Sequence, residues 1–268
     1  MKMELSTGTQ QLKCCVKEGV ATVILNNPKK RNALSDELTP ALREALVQLE
    51  QNDKVRCVII TGSGASFCSG GDVSSMEGMG GTSNDKVEVL RMRQRTLTLR
   101  LYNLKKPTIA ALPGPAAGAG LALALACDFR YAVKDTFVTT GYGRIGLSGD
   151  YGGTWLLANL TNISIAKEMY FSCRKVDSEE CHKLGIFNDV FEKDVFETRV
   201  LKIAKSLAQM APVALANMKH NLNSVPKSTL SESLDLEAEN LYQCVATDDH
   251  KSAIRAFLEK RKPEFKGY

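Results

Sequence analysis

The 268-residue chain lacks several features that assign a protein to the membrane or to secretion. No run of about 18 uncharged apolar residues occurs, so we expect no helix that spans a bilayer. The longest apolar run covers residues 116–127 and contains two glycines, which is typical of a buried helix. The first six residues contain no apolar signal region, and Lys266-Gly267-Tyr268 is not a peroxisomal ending. The sequence therefore predicts a cytoplasmic protein.

Signals for metal or redox chemistry are also missing. The eight cysteines form no Cys-x-x-Cys pair, and Cys14 and Cys15 are adjacent, so we interpret them as reduced and mostly packed thiols. The three histidines, His182, His220 and His250, are far apart, and we expect each on a helix surface without a metal site. Neither G-x-S-x-G nor a phosphate-loop lysine motif is present.

Charge and glycine patterns exclude two further classes of ligand. The net charge of +5 suits an anionic small molecule but is too small for a nucleic-acid binder, so we expect no nucleic-acid partner. Arg91, Arg93 and Arg95 form a basic cluster, interpreted as a solvated helix face, with contact to an anionic partner as the alternative. Residues 141–146 match G-x-G-x-x-G, but they lie in mid-chain and lead into a loop. We interpret them as a turn beside a pocket rather than a dinucleotide site.

Hydrophobic patterning predicts an α/β core. A hairpin at residues 13–16 and 20–25 is followed by a helix that Ser35 caps and that runs to about residue 52. Three short apolar strands follow, separated by helical patterns that imply parallel pairing, at residues 57–61, 108–112 and 129–133. From about Ser178 the pattern is almost wholly helical. We divide the chain into a core at 1–200 and a helical region at 201–268.

Two glycine-rich turns follow predicted strands, at residues 67–72 and 114–120. Each can present a backbone N–H without a side chain in the way, and the second also opens a helix with its positive dipole end. Two such donors that converge on one oxygen form an oxyanion hole. The alternative is that both are ordinary turns.

Several segments resemble a known family in the correct order and spacing. They are NPKKRNALS at 27–35, FCSGGD at 67–72, GAG at 118–120 with ACD at 126–128, and GLSGDYGGTW at 146–155. Together they resemble the signatures of the crotonase family, whose members are enoyl-CoA hydratases and isomerases. The resemblance extends from about residue 12 to residue 265.

This resemblance implies a crotonase-like spiral of ββα units followed by a C-terminal helical trimerisation region. The implied assembly is a homotrimer or a dimer of trimers. The implied substrate is an acyl-CoA thioester, and no separate cofactor is expected because coenzyme A enters as part of the substrate.

The resemblance also assigns site residues by position. The oxyanion donors are the backbone amides of Gly71 and Ala119, with Asp150 as the catalytic acid. The thioester and pantetheine path is expected to be lined by Ser69, Gly70, Asp72 and Val73, and the nucleotide end of CoA to meet Lys29, Arg31 and Ala33. The second glycine turn and its facing loop are expected to contact substrate through Gly118 and Tyr142. The C-terminal tail is expected to contact the CoA of a neighbouring subunit through Phe257 and Lys260. Asp72 is interpreted as orienting its loop.

The chain departs from the hydratases at two positions. Hydratases carry two glutamates, and the matching positions here are Ala122 and a site near Tyr142, while residues 136–149 contain no Asp or Glu. Asp150 instead matches the acid of family isomerases, and one carboxylate suffices to move a double bond. We therefore predict an acyl-CoA double-bond isomerase of fatty-acid or related acyl-CoA catabolism.

Three alternatives remain open at this point. They are an enoyl-CoA hydratase that uses Asp150 alone, a ring-epoxide acyl-CoA isomerase of phenylacetate breakdown, and a non-catalytic family member that binds CoA or RNA. For Asp150 itself, the alternative is a turn residue before Gly152-Gly153.

Overall fold

Two β-sheets of unequal size form the core of the structure, a computed structural model that describes residues 3–72 and 84–268. The strands in chain order are β1 (Met3–Leu5), β2 (Leu12–Lys17), β3 (Val20–Leu25), β4 (Cys57–Gly62), β5 (Thr108–Leu112), β6 (Ala116–Ala117), β7 (Phe129–Val133), β8 (Phe137–Thr139), β9 (Val176–Asp177) and β10 (Asp189–Phe191).

The larger sheet has seven strands in the order β1-β2-β3-β4-β5-β7-β10. Its first three strands pair antiparallel, and from β3 to β10 every neighbouring pair is parallel. The predicted hairpin and the predicted parallel pairing are therefore confirmed. A small second sheet has the strand order β6-β8-β9, and its first strand follows β5 closely in the sequence.

Helices connect and cover these strands. They are α1 (Leu38–Gln51), α2 (Asn84–Gln94), α3 (Arg100–Asn103), α4 (Ala119–Leu125), α5 (Gly153–Leu160), α6 (Ile163–Ser172), α7 (Ser178–Lys183), α8 (Lys193–Ala208), α9 (Pro212–Ser224), α10 (Leu230–Val245) and α11 (Asp248–Leu258). Short 3-10 helices occur at Pro28–Lys30, Tyr142–Ile145 and Val225–Lys227, and a π-helix at Arg95–Leu99 joins α2 to α3. Across the described ranges, no helix has both the length and the apolar character required to cross a membrane.

Some predicted boundaries need correction. The helix α1 begins at Leu38 and not at Ser35, although the Ser35 Oγ still accepts a hydrogen bond from the Leu38 N–H at 3.0 Å. The sequence pattern does not predict α5, α6 or five short strands, which are β1, β6, β8, β9 and β10. The last of these strands interrupts a region whose periodicity is otherwise helical. The three histidines do lie on helices, on α7, α9 and α11.

The larger sheet is covered on both faces. On one face α8 packs Phe196, Val200 and Ala204 against strand residues such as Ile59. On the other face lie α1 and α4, and every residue of α4 is buried. A helix that is apolar all round is a buried helix, and burial fixes the position of the amino end of α4 beside the sheet. The division at residues 200 and 201 falls inside α8 and stays a prediction.

Candidate active site

The two glycine-rich turns meet at the carboxyl end of the parallel sheet. The strands β4 and β5 are parallel neighbours, so the loops that leave them emerge at the same edge, where α/β proteins bind ligands. A β-bridge joins Cys68 to Ala116, and the Ala117 N–H donates to the Cys68 carbonyl at 3.0 Å. The structure thus brings together the two turns that the sequence singled out.

Glycine is required where these turns touch. A Cβ atom on Gly120 would lie 2.3 Å from the Cys68 carbonyl oxygen. Gly70 has a φ of +96°, and a Cβ there would lie 2.8 Å from the Ala117 carbonyl oxygen. Side chains at either position would force the turns apart.

The contact leaves two backbone donors beside one another. Ala119 is the first residue of α4, where the N–H has no intrahelical acceptor. Within residues 3–72 and 84–268, neither the Ala119 N–H nor the Gly71 N–H donates a hydrogen bond. A Cβ on Gly70 would be 3.3 Å from the Ala119 nitrogen, so the turn that carries Gly71 lies directly against it. This arrangement suits an oxyanion hole, and that role stays a prediction for both amides.

Asp150 lies in the loop before α5 and is held by a tyrosine. The Tyr142 hydroxyl donates to the Asp150 Oδ1 at 2.6 Å. The loop is anchored on its other side, because the Tyr151 N–H donates to the Gln94 Oε1 at 2.8 Å. Burial raises the pKa of Asp150 above the ordinary aspartate range, and the hydrogen bond from Tyr142 opposes that rise. A carboxylate with a raised pKa is better suited to exchange protons near neutral pH.

The Asp150 loop lies close to the second glycine turn and to α4. A Cβ on Gly118 would lie 3.8 Å from the Tyr142 hydroxyl oxygen, and Gly118 immediately precedes Ala119. Ala122, one turn into α4, is buried, and a Cβ on Gly153 would lie 3.3 Å from its methyl group. The two positions at which hydratases carry glutamate are therefore both beside the Asp150 loop, and neither supplies a carboxylate.

The segment expected to handle the nucleotide end of CoA packs against the first glycine turn. The Ser69 N–H donates to the Arg31 carbonyl at 3.0 Å, and the Ser69 hydroxyl donates to the Lys30 carbonyl at 3.2 Å. The Lys30 ammonium pairs with the Asp72 carboxylate at 2.6 Å, which fits the interpretation that Asp72 orients its loop.

The remaining predicted contact residues differ in their exposure. Lys29 and Arg31 are exposed, whereas Ala33 is buried. Val73 lies outside the described residues. Phe257 and Lys260 are exposed at the end of α11, and no backbone hydrogen bond of the described chain joins them to Asp150 or to the glycine turns. Their predicted role concerns a neighbouring subunit and stays a prediction.

A cavity of about 280 Å³ opens beside the Asp150 loop, and sequence patterns do not reveal it. Its wall includes Leu99, Tyr102, Tyr151 and Trp155, with Tyr102 and Trp155 in an edge-to-face contact at 5.6 Å. The largely apolar lining suits the acyl part of a thioester. Among the described residues, no three His, Cys, Asp or Glu side chains form a group that could hold a metal ion.

Tyr170 supports the ring of Tyr142, a contact that sequence reasoning missed. Its ring stacks on Tyr142 with centroids 6.1 Å apart and planes 5° apart. The two tyrosines are 28 positions apart in the chain, in a 3-10 helix and in α6, and no local pattern connects them. In the basic cluster, Arg91 pairs with Glu88 and Arg93 pairs with Asp36.

Comparison with known proteins assigns the chain to a family. The family model described as enoyl-CoA hydratase/isomerase matches residues 16–268, so the chain belongs to the enoyl-CoA hydratase/isomerase family. A similar protein is the 1,2-epoxyphenylacetyl-CoA isomerase of Escherichia coli (strain K12), 34% identical over 94% of this chain and 97% of the relative. Another is the short-chain-enoyl-CoA hydratase of Clostridium acetobutylicum, 33% identical over 92% of this chain and 95% of that protein.

Solved structures agree with this assignment. A putative enoyl-CoA hydratase from Streptomyces coelicolor A3(2) superposes with a TM-score of 0.91 at 31% identity, covering 96% of this chain and 94% of the other. The enoyl-CoA hydratase from Bacillus anthracis superposes with a TM-score of 0.90 at 28% identity, covering 97% of this chain and all of the other. The predicted crotonase-like α/β fold is therefore confirmed.

Proposed function

We propose that this protein moves the double bond of an acyl-CoA thioester from the 3-enoyl to the 2-enoyl position. The observation that carries the proposal is Asp150, a half-buried carboxylate whose partner Tyr142 lies beside the second glycine turn. At the two glycine turns, the N–H groups of Gly71 and Ala119 have no hydrogen-bond acceptor among the described residues. Asp150 takes a proton from C2, and the electron pair of the broken C–H bond delocalises into the thioester carbonyl. The N–H groups of Gly71 and Ala119 hold the resulting enolate oxygen.

The catalytic cycle is completed without a further reagent. The protonated Asp150 returns its proton to C4, the double bond now joins C2 and C3, and the carboxylate is restored. One group thus serves as base and then as acid. Because no electrons leave the substrate and the enolate charge is held by amides, we propose that the chain needs no cofactor beyond the CoA moiety of its substrate.

The absence of carboxylates at Ala122 and Tyr142 favours isomerisation over hydration. Adding water across a double bond uses one group to activate water and another to protonate carbon. Asp150 is present for one of these tasks, whereas the two positions that carry glutamate in hydratases hold a methyl group and a phenol. Hydration with Asp150 as the single acid and base is the second candidate, and relatives named as hydratases support it.

A ring-bearing acyl group is a third candidate, supported by a different observation. The cavity beside Asp150 is lined by Tyr102, Tyr151 and Trp155, whose faces and edges can pack against a ring. The E. coli relative is named for a ring-epoxide substrate. A ring-epoxide thioester therefore belongs in the same substrate panel.

The test is to incubate the purified protein separately with a 3-enoyl-CoA, a 2-enoyl-CoA and a ring-epoxide acyl-CoA in water. We expect conversion of the 3-enoyl-CoA into the 2-enoyl-CoA, with slow or no hydration. Rapid hydration of the 2-enoyl-CoA without isomerisation of the 3-enoyl-CoA would refute the proposal. Salt-sensitive RNA binding without turnover of any thioester would favour a binding protein.

We also propose that the chain assembles as a homotrimer or a dimer of trimers through its C-terminal helices. Large apolar side chains stand exposed there on α9 to α11, among them Leu222, Leu230, Tyr242, Phe257 and Leu258. Exposed apolar clusters of this kind mark protein interfaces. Light scattering at micromolar concentration is expected to give three or six times the monomer mass, and a monomeric mass would overturn this proposal.

A further inference from the structure

The Tyr142 hydroxyl occupies the space between Asp150 and the second glycine turn. It donates to the Asp150 Oδ1 at 2.6 Å, and a Cβ on Gly118 would be only 3.8 Å from the same oxygen. The side chain is 7% exposed, so water competes little for this hydrogen bond. Charge-assisted hydrogen bonds of this length are stronger than neutral ones.

The phenol ring is held in place from two sides. Tyr142 begins a 3-10 helix that is flanked by Gly141 at φ +69° and Gly146 at φ +71°. The Leu147 N–H donates to the Tyr142 carbonyl at 3.0 Å, which closes the turn. The ring of Tyr170, from α6, stacks against the Tyr142 ring almost in parallel. The hydroxyl therefore has one well-defined position relative to Asp150.

We infer that Tyr142 is a positioning residue that fixes one carboxylate oxygen of Asp150 and leaves the other to exchange the proton with substrate. Among the described residues, the Asp150 Oδ1 accepts from Tyr142, whereas the Asp150 Oδ2 has no hydrogen-bond donor. The Asp150 Oδ2 is thus the oxygen that takes the proton from C2 and returns it to C4. This proton transfer is the one part of the inference that rests on the proposed function.

The electrostatics of the site predict the direction in which the pKa of Asp150 changes when the Tyr142 hydroxyl is removed. Burial raises the pKa of Asp150, and the hydrogen bond from Tyr142 lowers it. The other titratable groups that interact with Asp150 are the phenols of Tyr170, from α6, and Tyr151, from its own loop. Burial, and to a smaller extent the Asp150 carboxylate, raises the pKa of both.

Three charged groups contribute to the pKa of Tyr151 and not to that of Asp150. They are Arg93, Arg43 and Asp36. Within the described chain, the Tyr142 hydroxyl is therefore the group that stabilises the ionised form of Asp150. Its removal must raise the pKa of Asp150, because the charged form loses its donor.

The test is the pH profile of Tyr142→Phe. The acid limb of kcat/KM reports ionisation of the free enzyme's base, so it should move to higher pH. A hydrogen bond to a charged group corresponds to a shift of about one to two pH units. We expect kcat to fall about tenfold or more while KM stays within about twofold, since the inference assigns the hydroxyl to Asp150, and the ring that the resemblance implies as a substrate contact is retained in phenylalanine.

Tyr170→Phe is the matched control. It preserves the ring that stacks on Tyr142 and removes a hydroxyl that makes no hydrogen bond to Asp150. Its acid limb should stay within about 0.3 pH unit of the parent, since the donor to the Asp150 carboxylate is retained. An equal shift in both variants, or no shift in folded Tyr142→Phe, would overturn the inference.

A second measurement separates this inference from the proposed function. The Asp150 carboxyl carbon can be titrated by ¹³C NMR in the substrate-free protein, with Asp150→Asn used to assign its signal. Its pKa should be higher in Tyr142→Phe than in the parent even if neither isomerises 3-enoyl-CoA. If Tyr142→Phe does not fold, 3-fluorotyrosine placed at position 142 supplies a more acidic donor. It should then lower the pKa of Asp150, and a shift upward would contradict the inference.

Discussion

Replacing Asp150 with asparagine is the most direct test of the candidate site. The replacement preserves the size of the side chain, and the amide oxygen can still accept the hydrogen bond that the Tyr142 hydroxyl now donates at 2.6 Å. The change therefore removes the ionisable group and little else. Substrate binding, as reported by KM, should stay near the parent value.

The expected loss of turnover follows from the role of the group. A positioned acid or base contributes about 10²–10⁴-fold to rate, so kcat on 3-enoyl-CoA should fall at least about 100-fold. The oxyanion donors at Gly71 and Ala119 remain in place, but the C2 proton has no acceptor. Exchange of that proton with deuterated solvent should disappear together with isomerisation, because both pass through the same enolate.

The Asp150→Asn variant should lose turnover but should not lose thermal stability. Since the folded protein raises the pKa of Asp150 above its unfolded value, ionisation of this group opposes folding as the pH rises through the folded pKa. Asp150→Asn should therefore unfold at the same or a higher temperature than the parent at pH 7. The difference should shrink as the pH falls toward the ordinary aspartate pKa of about 3.9.

Asp53→Asn supplies a chemically identical control. Asp53 is exposed in the loop that enters the amino end of β4, at the edge of the sheet opposite to the glycine turns. It should leave both turnover and solvent exchange unchanged. If folded Asp150→Asn still isomerises 3-enoyl-CoA within tenfold of the parent, Asp150 is a turn residue. The base must then be sought elsewhere, with Glu77, which lies outside the described residues, the first to test.

Three further predictions use other parts of the structure. Ala119→Pro removes one oxyanion donor at the first helical position, where proline is tolerated, so kcat should fall about 10²–10³-fold in a variant whose circular dichroism is unchanged. Lys219→Met breaks a largely buried ion pair with Asp128, 2.9 Å long, that ties α9 to the sheet, so denaturant titration should show a loss of about 1.5–3 kcal/mol. A thiol reagent should modify the partly exposed Cys15 and Cys244 quickly, while the six buried cysteines react only after unfolding.

Sequence could predict the two glycine turns and five of the strands, β2 to β5 and β7, because their signals are local. A short apolar run such as residues 57–61 has few alternatives to a buried strand, and glycines next to strand ends predict turns where they fall. Parallel pairing then brings both turns to one edge. Asp150 could be singled out because the family resemblance matches it to the acid of isomerases and because residues 136–149 offer no other carboxylate.

The detailed geometry of the site could not be predicted in this way. Tyr142 and Asp150 are eight positions apart, and whether their side chains meet depends on the positive φ angles of Gly141 and Gly146, which redirect the chain twice. The ion pair between Lys30 and Asp72 spans 42 positions and depends on how two loops pack. Such contacts follow from tertiary structure, and no periodic pattern in the sequence indicates them.

The distribution of tasks in this site explains how one fold can support different reactions. Backbone amides at the two glycine turns can hold the oxyanion, and these turns are fixed by sheet geometry and by close contacts such as that of Gly120 with Cys68. In the proposed site, the side chains at Ala122, Tyr142 and Asp150 decide how protons move. Near position 142, where the family resemblance places a glutamate in hydratases, a phenol donates to Asp150, whereas a second carboxylate would have repelled the charge on Asp150. Two carboxylates that share a site raise each other's pKa, whereas a phenol stabilises the ionised form of its neighbour. A single carboxylate that accepts a hydrogen bond from a phenol is therefore suited to carrying one proton between two carbons.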